Sequence, residues 1–211
     1  MATVLEGISG LYVTLYNRAA DSSGEEYWAQ QVGHSVASAA TAPVTPGQLS
    51  KLAGWFVSTQ TSYFNAAYGS MTDKEFVEAI FANLGGADDA GAIRLWTARI
   101  ADGLSRPEAV AQLVYEIINF DAADHQAALR RQQAFKNRLL VSLAYAANAA
   151  PVLKVEDTTV PAFFAAFRIE EGVTANDATR EAALAQISAA AAANDLALIT
   201  GAGNADRRPR N

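Results

Sequence analysis

The stretch LYVTLYNRAADSSGEEYWAQQV, residues 11–32, has a layout that returns in AIFANLGGADDAGAIRLWTARI, residues 79–100. Each position of the first copy has its counterpart 68 residues later, so that Trp28 corresponds to Trp96. An internal repeat of this kind predicts one supersecondary unit that is used twice. In both copies that unit is a helix, a tight acidic turn and a second helix with a tryptophan in its first turns.

The acidic turn of the first copy is predicted by its own residues. The segment 17–21 interrupts the apolar residues that recur at helical spacing before it. Asp21 can then accept hydrogen bonds from the free N–H groups of the next helix, and Glu25 suits the positive end of its dipole. Arg18 precedes Asp21 by three positions, so the two side chains can form an ion pair.

The second copy keeps the acidic turn but departs from the first copy at three positions. Asp88 and Asp89 hold the turn, while Gly86 replaces the arginine, Ala92 the glycine and Leu95 the tyrosine. The first copy is therefore the fuller example of the pattern.

The first copy resembles a pattern, LYxxLxRxADxxGxxYW, that marks a known family. This is the helical repeat domain of unassigned function in bacterial type I-secreted, calcium-binding RTX proteins. The resemblance covers roughly residues 5–200. More loosely, the whole is similar to the N-terminal helical domain of alphaproteobacterial S-layer proteins, which anchors the layer to lipopolysaccharide. The resemblance implies a helical fold, calcium-rich surroundings and a place at the cell surface. The residues that carry it are Leu11, Tyr12, Leu15, Arg18, Asp21, Gly24, Tyr27 and Trp28.

Composition excludes several classes of protein. The chain has 211 residues, 51% of them hydrophobic and 18% charged, which is typical of a folded domain with a core. A net charge of −6 disfavours a nucleic-acid-binding surface. The absence of cysteine excludes disulfides, zinc–thiolate sites and thiol nucleophiles.

Targeting signals and membrane segments are not evident in the sequence. The N-terminal residues MATVLEGISG do not resemble a signal peptide. No apolar run reaches the about 18 residues that a membrane-spanning helix needs. Type I secretion uses a C-terminal signal, so the resemblance implies an extracellular protein at the cell surface.

Helix starts and stops recur along the chain without any alternating strand pattern. A proline directly after Thr45 and a glutamate three positions after Thr72 are typical of helix N-termini. The segment 35–44 is predicted as a loop of small residues, and a long helix is expected from about 122 to 148. The basic residues Arg130, Arg131, Lys136 and Arg138 of that helix are expected on a solvated face.

The sequence thus predicts an all-α protein, a compact multi-helix bundle of about 8–10 helices containing two helix–turn–helix repeats. We expect a single helical domain over residues 1–200, with repeat units at about 5–68 and 73–120 and C-terminal helices at 121–200. A flexible tail is expected at 201–211.

Catalytic motifs are not found. The sequence has no phosphate-binding loop, dinucleotide fingerprint or GxSxG elbow. The two histidines, His34 and His125, lie far apart, and neither has a second histidine at metal-ligand spacing. We therefore expect a protein that is not an enzyme.

The acidic turns are candidate metal sites. Calcium prefers about six to eight oxygen ligands, so a turn with one or two carboxylates needs help from other groups. The alternative is a helix–helix corner closed by a capping carboxylate. The candidate calcium ligands are Asp21, Asp88 and Asp89.

Aromatic and arginine side chains near the turns suggest a carbohydrate-binding site. Sugar rings present apolar faces that stack on indole and phenol rings, while charged neighbours bind the hydroxyl groups. For Trp28 and Trp96, a core position in each unit is the alternative. The candidate residues are Arg18, Tyr27, Trp28, Trp55, Tyr63, Arg94 and Trp96.

Three functions of different classes are open at this point. The resemblance implies a module that attaches a secreted S-layer- or RTX-type protein to lipopolysaccharide O-polysaccharide, with further copies of the chain as partners in a lattice. The second is a protein–protein assembly scaffold without glycan binding. The third is a cytoplasmic small-molecule binder, which would need a deep pocket with converging polar groups.

Overall fold

The structure is a computed structural model that describes residues 1–86, 89–119, 126–148, 161–193 and 198–201. These residues contain eleven α-helices and no β-strand. The predicted all-α class is confirmed. The helices are α1 (Val4–Tyr16), α2 (Ser22–Gln31), α3 (Val36–Ala39), α4 (Pro46–Thr59), α5 (Thr61–Tyr68), α6 (Asp73–Asn83), α7 (Ala90–Ala101), α8 (Arg106–Asn119), α9 (Gln126–Asn148), α10 (Pro161–Glu170) and α11 (Asp177–Ala193).

Side-chain caps explain where several of these helices begin. Thr3, Ser35, Thr45 and Thr72 each accept a hydrogen bond from the backbone three positions on, and the side chain there returns one to the cap. Such reciprocal caps satisfy N–H groups that a helix leaves free at its start. The cap at Ser35 begins α3 inside the segment 35–44, which the sequence predicted as a loop.

The first helix lies at the centre of the core. Every residue of α1 from Gly7 to Tyr16 is buried, and the helix packs against α2, α4, α6, α8 and α9. A second group of buried side chains joins α9 to α10 and α11, with Tyr145 as its largest member. The helix pair α1–α2, hereafter unit 1, is therefore enclosed on more sides than the pair α6–α7, hereafter unit 2.

The prediction that the basic residues of α9 form a solvated face is wrong for two of them. Arg131 and Arg138 are buried, at 8% and 5% exposure. Each forms an ion pair with a carboxylate of another helix or turn, Arg131 with Asp89 and Arg138 with Glu170. A buried arginine is stable only when its donors are paired in this way.

Some predictions fall on parts of the chain outside the described residues. These are Asp88, the start of the long helix before Gln126 and the tail beyond Gly201. The division into one domain with two repeat units and a C-terminal part stays a prediction. Among the helices described here, none combines the length and apolar character needed to cross a membrane.

Candidate functional site

The corner of unit 1 is closed by the carboxylate of Asp21. Its Oδ1 accepts hydrogen bonds from the Gly24 N–H at 2.6 Å and the Ser23 hydroxyl at 2.9 Å. Its Oδ2 accepts from Arg18 at 3.2 Å. The chain enters this corner through Asn17, whose φ of 50° is left-handed. Both carboxylate oxygens therefore already have protein donors.

Trp28 joins the second helix of unit 1 to the core. Its ring stacks on Phe56 of α4 with 4.3 Å between centroids, and its indole N–H donates to the Tyr12 hydroxyl at 3.2 Å. Burial raises the pKa of Tyr12 to about 12. Trp28 is only 6% exposed, so its ring has no free face for a sugar. The structure thus assigns it the core position.

Unit 2 repeats this corner at the expected offset. Asp89 caps α7 by accepting the Ala92 N–H at 2.9 Å. Gly85, with a φ of 82°, takes the left-handed position of Asn17. Trp96 is 4% exposed and lines a small apolar void with residues of α6 and α8. It is likewise a core residue and is not available for stacking on a ligand.

Arg131 of α9 supplies the arginine that unit 2 lacks. Its Nη1 donates to Asp89 Oδ2 at 2.9 Å, as Arg18 donates to its own capping aspartate. Its guanidinium lies 4.7 Å from the Phe81 ring centroid, and that of Arg18 lies 4.6 Å from the Tyr12 ring centroid. An ion pair with the capping aspartate and a contact with an aromatic ring are therefore made in both units, once by a local arginine and once by a distant one, although the two rings occupy neighbouring rather than equivalent positions of the repeat.

The glycine at the vacant arginine position makes room for this replacement. A Cβ on Gly86 would lie 2.9 Å from Arg131 Cβ and 3.1 Å from its Cγ. Contacts this close are unfavourable, so a side chain at position 86 would compete with Arg131 for the same space. The sequence change in unit 2 and the position of α9 are thus complementary.

The glycine-to-alanine change between the units has a similar cause. A Cβ on Gly24 would lie 3.0 Å from Tyr12 Cζ and closer still to its hydroxyl oxygen. In unit 2 the counterpart of Tyr12 is Ile80, which has no hydroxyl. Ala92 can therefore occupy the position that must be glycine in unit 1.

Arg138 connects the ends of three helices. Its Nη2 donates to Asn17 Oδ1 at 2.6 Å, its Nη1 to the Asn83 carbonyl, and its Nε to Glu170 Oε2 at 3.0 Å. Burial raises the pKa of Glu170 to about 7, although Arg138 acts in the opposite direction. The Oε1 atom of Glu170 is buried and has no hydrogen-bond partner among the described residues.

A second buried carboxyl lies inside unit 1. Glu25 Oε1 accepts a hydrogen bond from the Ser9 hydroxyl at 2.7 Å, and Glu25 is 5% exposed. Burial raises the pKa of Glu25 to about 7. Glu25 lies in the first turn of α2, as its predicted role at the helix dipole requires, and the fold also buries it against α1.

The exposed aromatic side chains of the candidate carbohydrate site lie on α2, α4 and α5. Tyr27, Trp55 and Tyr63 are 49%, 38% and 38% exposed. Most large aromatic side chains in a folded domain are more buried than this. We call Arg18, Tyr27, Trp55 and Tyr63 the aromatic surface.

Ring contacts connect two members of the aromatic surface through the core. Tyr27 packs edge-on against Trp28 at 4.9 Å, and Tyr63 packs edge-on against Tyr16 at 5.1 Å. Trp28 and Tyr16 both stack on Phe56, at 4.3 and 5.8 Å. Tyr27 and Tyr63 are thus the two exposed ends of one continuous row of rings.

Arg18 lies near the Tyr63 end of this row. Burial raises the pKa of Tyr63, while the positive charge of Arg18 acts to lower it. The side chain of Arg18 is 15% exposed. Its ion pair with Asp21 and its contact with the Tyr12 ring hold the guanidinium in place.

Arg94 lies apart from the aromatic surface. It lines an open groove of about 580 Å³ between α6 and α7, together with Lys74 and Glu78. The structure therefore does not bring the seven candidate carbohydrate residues into one site. Arg18, Tyr27, Trp55 and Tyr63 belong to the first part of the chain, and Arg94 belongs to unit 2.

The candidate calcium ligands act as caps where they are described. Asp21 and Asp89 each bind a backbone N–H with one oxygen and an arginine with the other. No group of three or more His, Cys, Asp or Glu side chains in the described ranges could hold a metal ion. Calcium at either corner would compete with the arginine for the carboxylate.

No family model matches this sequence, and no curated protein or solved structure matches it. The function must therefore be argued from the geometry of the chain itself.

Proposed function

We propose that this chain is a non-catalytic module that binds a surface polysaccharide and so attaches a secreted S-layer- or RTX-type protein to the cell surface. The observation that carries the proposal is the aromatic surface, in which Tyr27, Trp55 and Tyr63 remain more than a third exposed and a held arginine, Arg18, lies near Tyr63. Aromatic side chains combine an apolar face with little conformational freedom, so they bind ligands at low entropic cost. The proposed ligand is the O-polysaccharide of lipopolysaccharide.

The charge of the chain favours local contacts over general attraction. A net charge of −6 opposes the approach of an acidic polymer to the surface as a whole. Stacking on Tyr27, Trp55 and Tyr63 would bind a neutral sugar, and Arg18 would add one fixed cation for a hydroxyl or an acidic group. Because a glycan repeats its unit many times, weak contacts of this kind are multiplied by effective concentration.

The rigidity of the surface supports the same function. Tyr63 and Tyr27 rest on buried rings, and Arg18 is held by an ion pair and a ring contact. Side chains fixed in this way lose little entropy when a ligand binds. Calcium at Asp21, Asp88 or Asp89 rests on the resemblance alone, and the capping and arginine contacts of Asp21 and Asp89 favour the helix–helix corner over a metal site.

The experiment compares binding of the full chain to purified lipopolysaccharide with and without its O-polysaccharide, each with and without added calcium. We expect binding only where the O-polysaccharide is present. Equal binding to both forms, or binding to neither, would rule out the proposal. Binding that disappears when calcium is chelated would identify calcium as a cofactor.

A further inference from the structure

The groove between α6 and α7 has the character of a packing surface that lacks its partner. Its volume is about 580 Å³, and the small or apolar residues Ala90, Ile93 and Ala98 line the α7 side. Lys74 and Glu78 of α6 stand at the opposite wall. Small side chains let the ridge of another helix enter a groove of this kind.

Unit 1 shows what this face of the repeat is used for. Gly10 of α1 is the counterpart of Glu78, 68 positions earlier in the chain. A Cβ on Gly10 would lie 2.9 Å from Val114 of α8 and 3.2 Å from Phe135 of α9. Helices of the same chain therefore cover the α1 side of this face in unit 1. In unit 2 the Glu78 side chain remains 43% exposed.

The charges at the rim of the groove are self-complementary. Arg94 on α7 is exposed and forms no ion pair with any residue that the structure describes. Glu78 on α6 meets only the exposed Lys74, at 3.4 Å, a pair that contributes little to stability. One wall therefore carries an available cation and the other wall carries an available carboxylate.

We propose that a second copy of this chain docks on the α6–α7 groove. A two-fold axis running parallel to the two helices sets α6 of each copy opposite α7 of the other. Arg94 of each copy then meets Glu78 of the second copy, so the same ion pair forms twice.

Charge reversal tests this pairing directly. The full chain and the variants Arg94→Glu, Glu78→Arg and Arg94→Glu/Glu78→Arg are compared by sedimentation equilibrium over a concentration series. Circular dichroism checks that each variant is folded, which we expect because both side chains are exposed. Each single reversal sets like charges against each other and is expected to weaken dimerisation by about tenfold or more. The double reversal restores opposite charges and is expected to return the dissociation constant to within a few-fold of the original.

Three results would overturn the proposal. The first is a wild-type chain that stays monomeric up to about 1 mM, a concentration at which even weak specific dimers form. The second is a dimer that neither single reversal affects, which would place the contact elsewhere. The third is a double reversal that stays as weak as the single ones, because the two charges would then not face each other.

Discussion

Alanine in place of Gly24 tests why the two repeat units differ. The new Cβ would lie 3.0 Å from both Tyr12 Cζ and Asp21 Oδ1, and closer still to the Tyr12 hydroxyl. The Tyr12 ring cannot easily move, because it packs edge-on against Phe56 at 5.0 Å and its hydroxyl accepts the Trp28 N–H. Overpacking of this kind costs about 1–3 kcal/mol.

The net effect of Gly24→Ala includes a gain in helix propensity. Replacing glycine by alanine inside a helix contributes about 0.5–1 kcal/mol where space allows. We therefore expect a net loss of up to about 2.5 kcal/mol, measured by urea unfolding followed by circular dichroism. Gly54→Ala in α4 is the matched control, because nothing lies within 4 Å of a Cβ there. It should stabilise the chain by about 0.5–1 kcal/mol.

A double-mutant cycle identifies the cause of the loss. Tyr12→Phe removes the closest contact but leaves the Trp28 N–H without its acceptor, at a cost of about 1–3 kcal/mol. In the Tyr12→Phe background, Gly24→Ala should cost about 1 kcal/mol less than it does alone. The explanation fails if Gly24→Ala stabilises the chain as Gly54→Ala does. It also fails if its cost is the same in both backgrounds.

Three further predictions concern the corners and the buried carboxyl. Arg131→Ala should destabilise the chain by about 1–3 kcal/mol. The loss should be at least as large as that of Arg18→Ala, because Arg131 is more buried and its ion pair is shorter. Negligible losses for both variants in thermal unfolding would contradict this. Because burial raises the pKa of Glu25 to about 7, its folded form holds a proton that the unfolded chain releases above its ordinary pKa. The contribution of this group to stability should therefore be full below about pH 4.5 and should decline as the pH rises to about 7. Glu25→Gln should be more stable than wild type at pH 8 but not at pH 4.5, as measured by denaturation midpoints. The same difference at both pH values would contradict this. Asp21→Ala should cost about 0.5–2 kcal/mol through loss of the cap, and differential scanning fluorimetry should give the same loss with and without calcium; a large calcium-dependent rise in the melting temperature of wild type alone would identify Asp21 as a metal ligand.

The repeat could be found from the sequence because both corners depend on local interactions. A capping aspartate three positions before its N–H donor needs no knowledge of the rest of the fold. The spacing from that aspartate to the tryptophan is the same in both copies, so Asp21 with Trp28 predicted the setting of Asp89 with Trp96. Both tryptophans are buried at these matching positions.

The replacement of one arginine by another could not be predicted, because it depends on a long-range contact. Arg131 lies 42 positions from Asp89 in the chain, and only the packing of α9 brings them together. The sequence carried one indirect signal, since Gly86 left the second capping aspartate without the arginine found in the first copy. The expectation of a solvated basic face failed for the same reason, because the face that α9 buries depends on its neighbours.

The candidate carbohydrate residues were separated only by burial. Sequence alone placed Trp28, Trp96 and Tyr63 in one class of aromatic residues near the turns, and their exposure depends on which helices cover them. Phe56 of α4 covers Trp28, while α6 and α8 enclose Trp96. Tyr63 remains exposed at the end of the row of rings.

The affinity of aromatic-surface variants for O-polysaccharide tests the proposed function most directly. Tyr27→Ala, Trp55→Ala and Tyr63→Ala each remove one exposed ring, and Leu140→Ala, which removes a side chain that is 48% exposed on α9, is the matched control. Binding to lipopolysaccharide bearing O-polysaccharide is measured by surface plasmon resonance. We expect at least one ring removal to weaken binding by about tenfold or more, with Leu140→Ala unchanged. Wild-type affinity in all three ring variants would show that the polysaccharide does not bind at the aromatic surface.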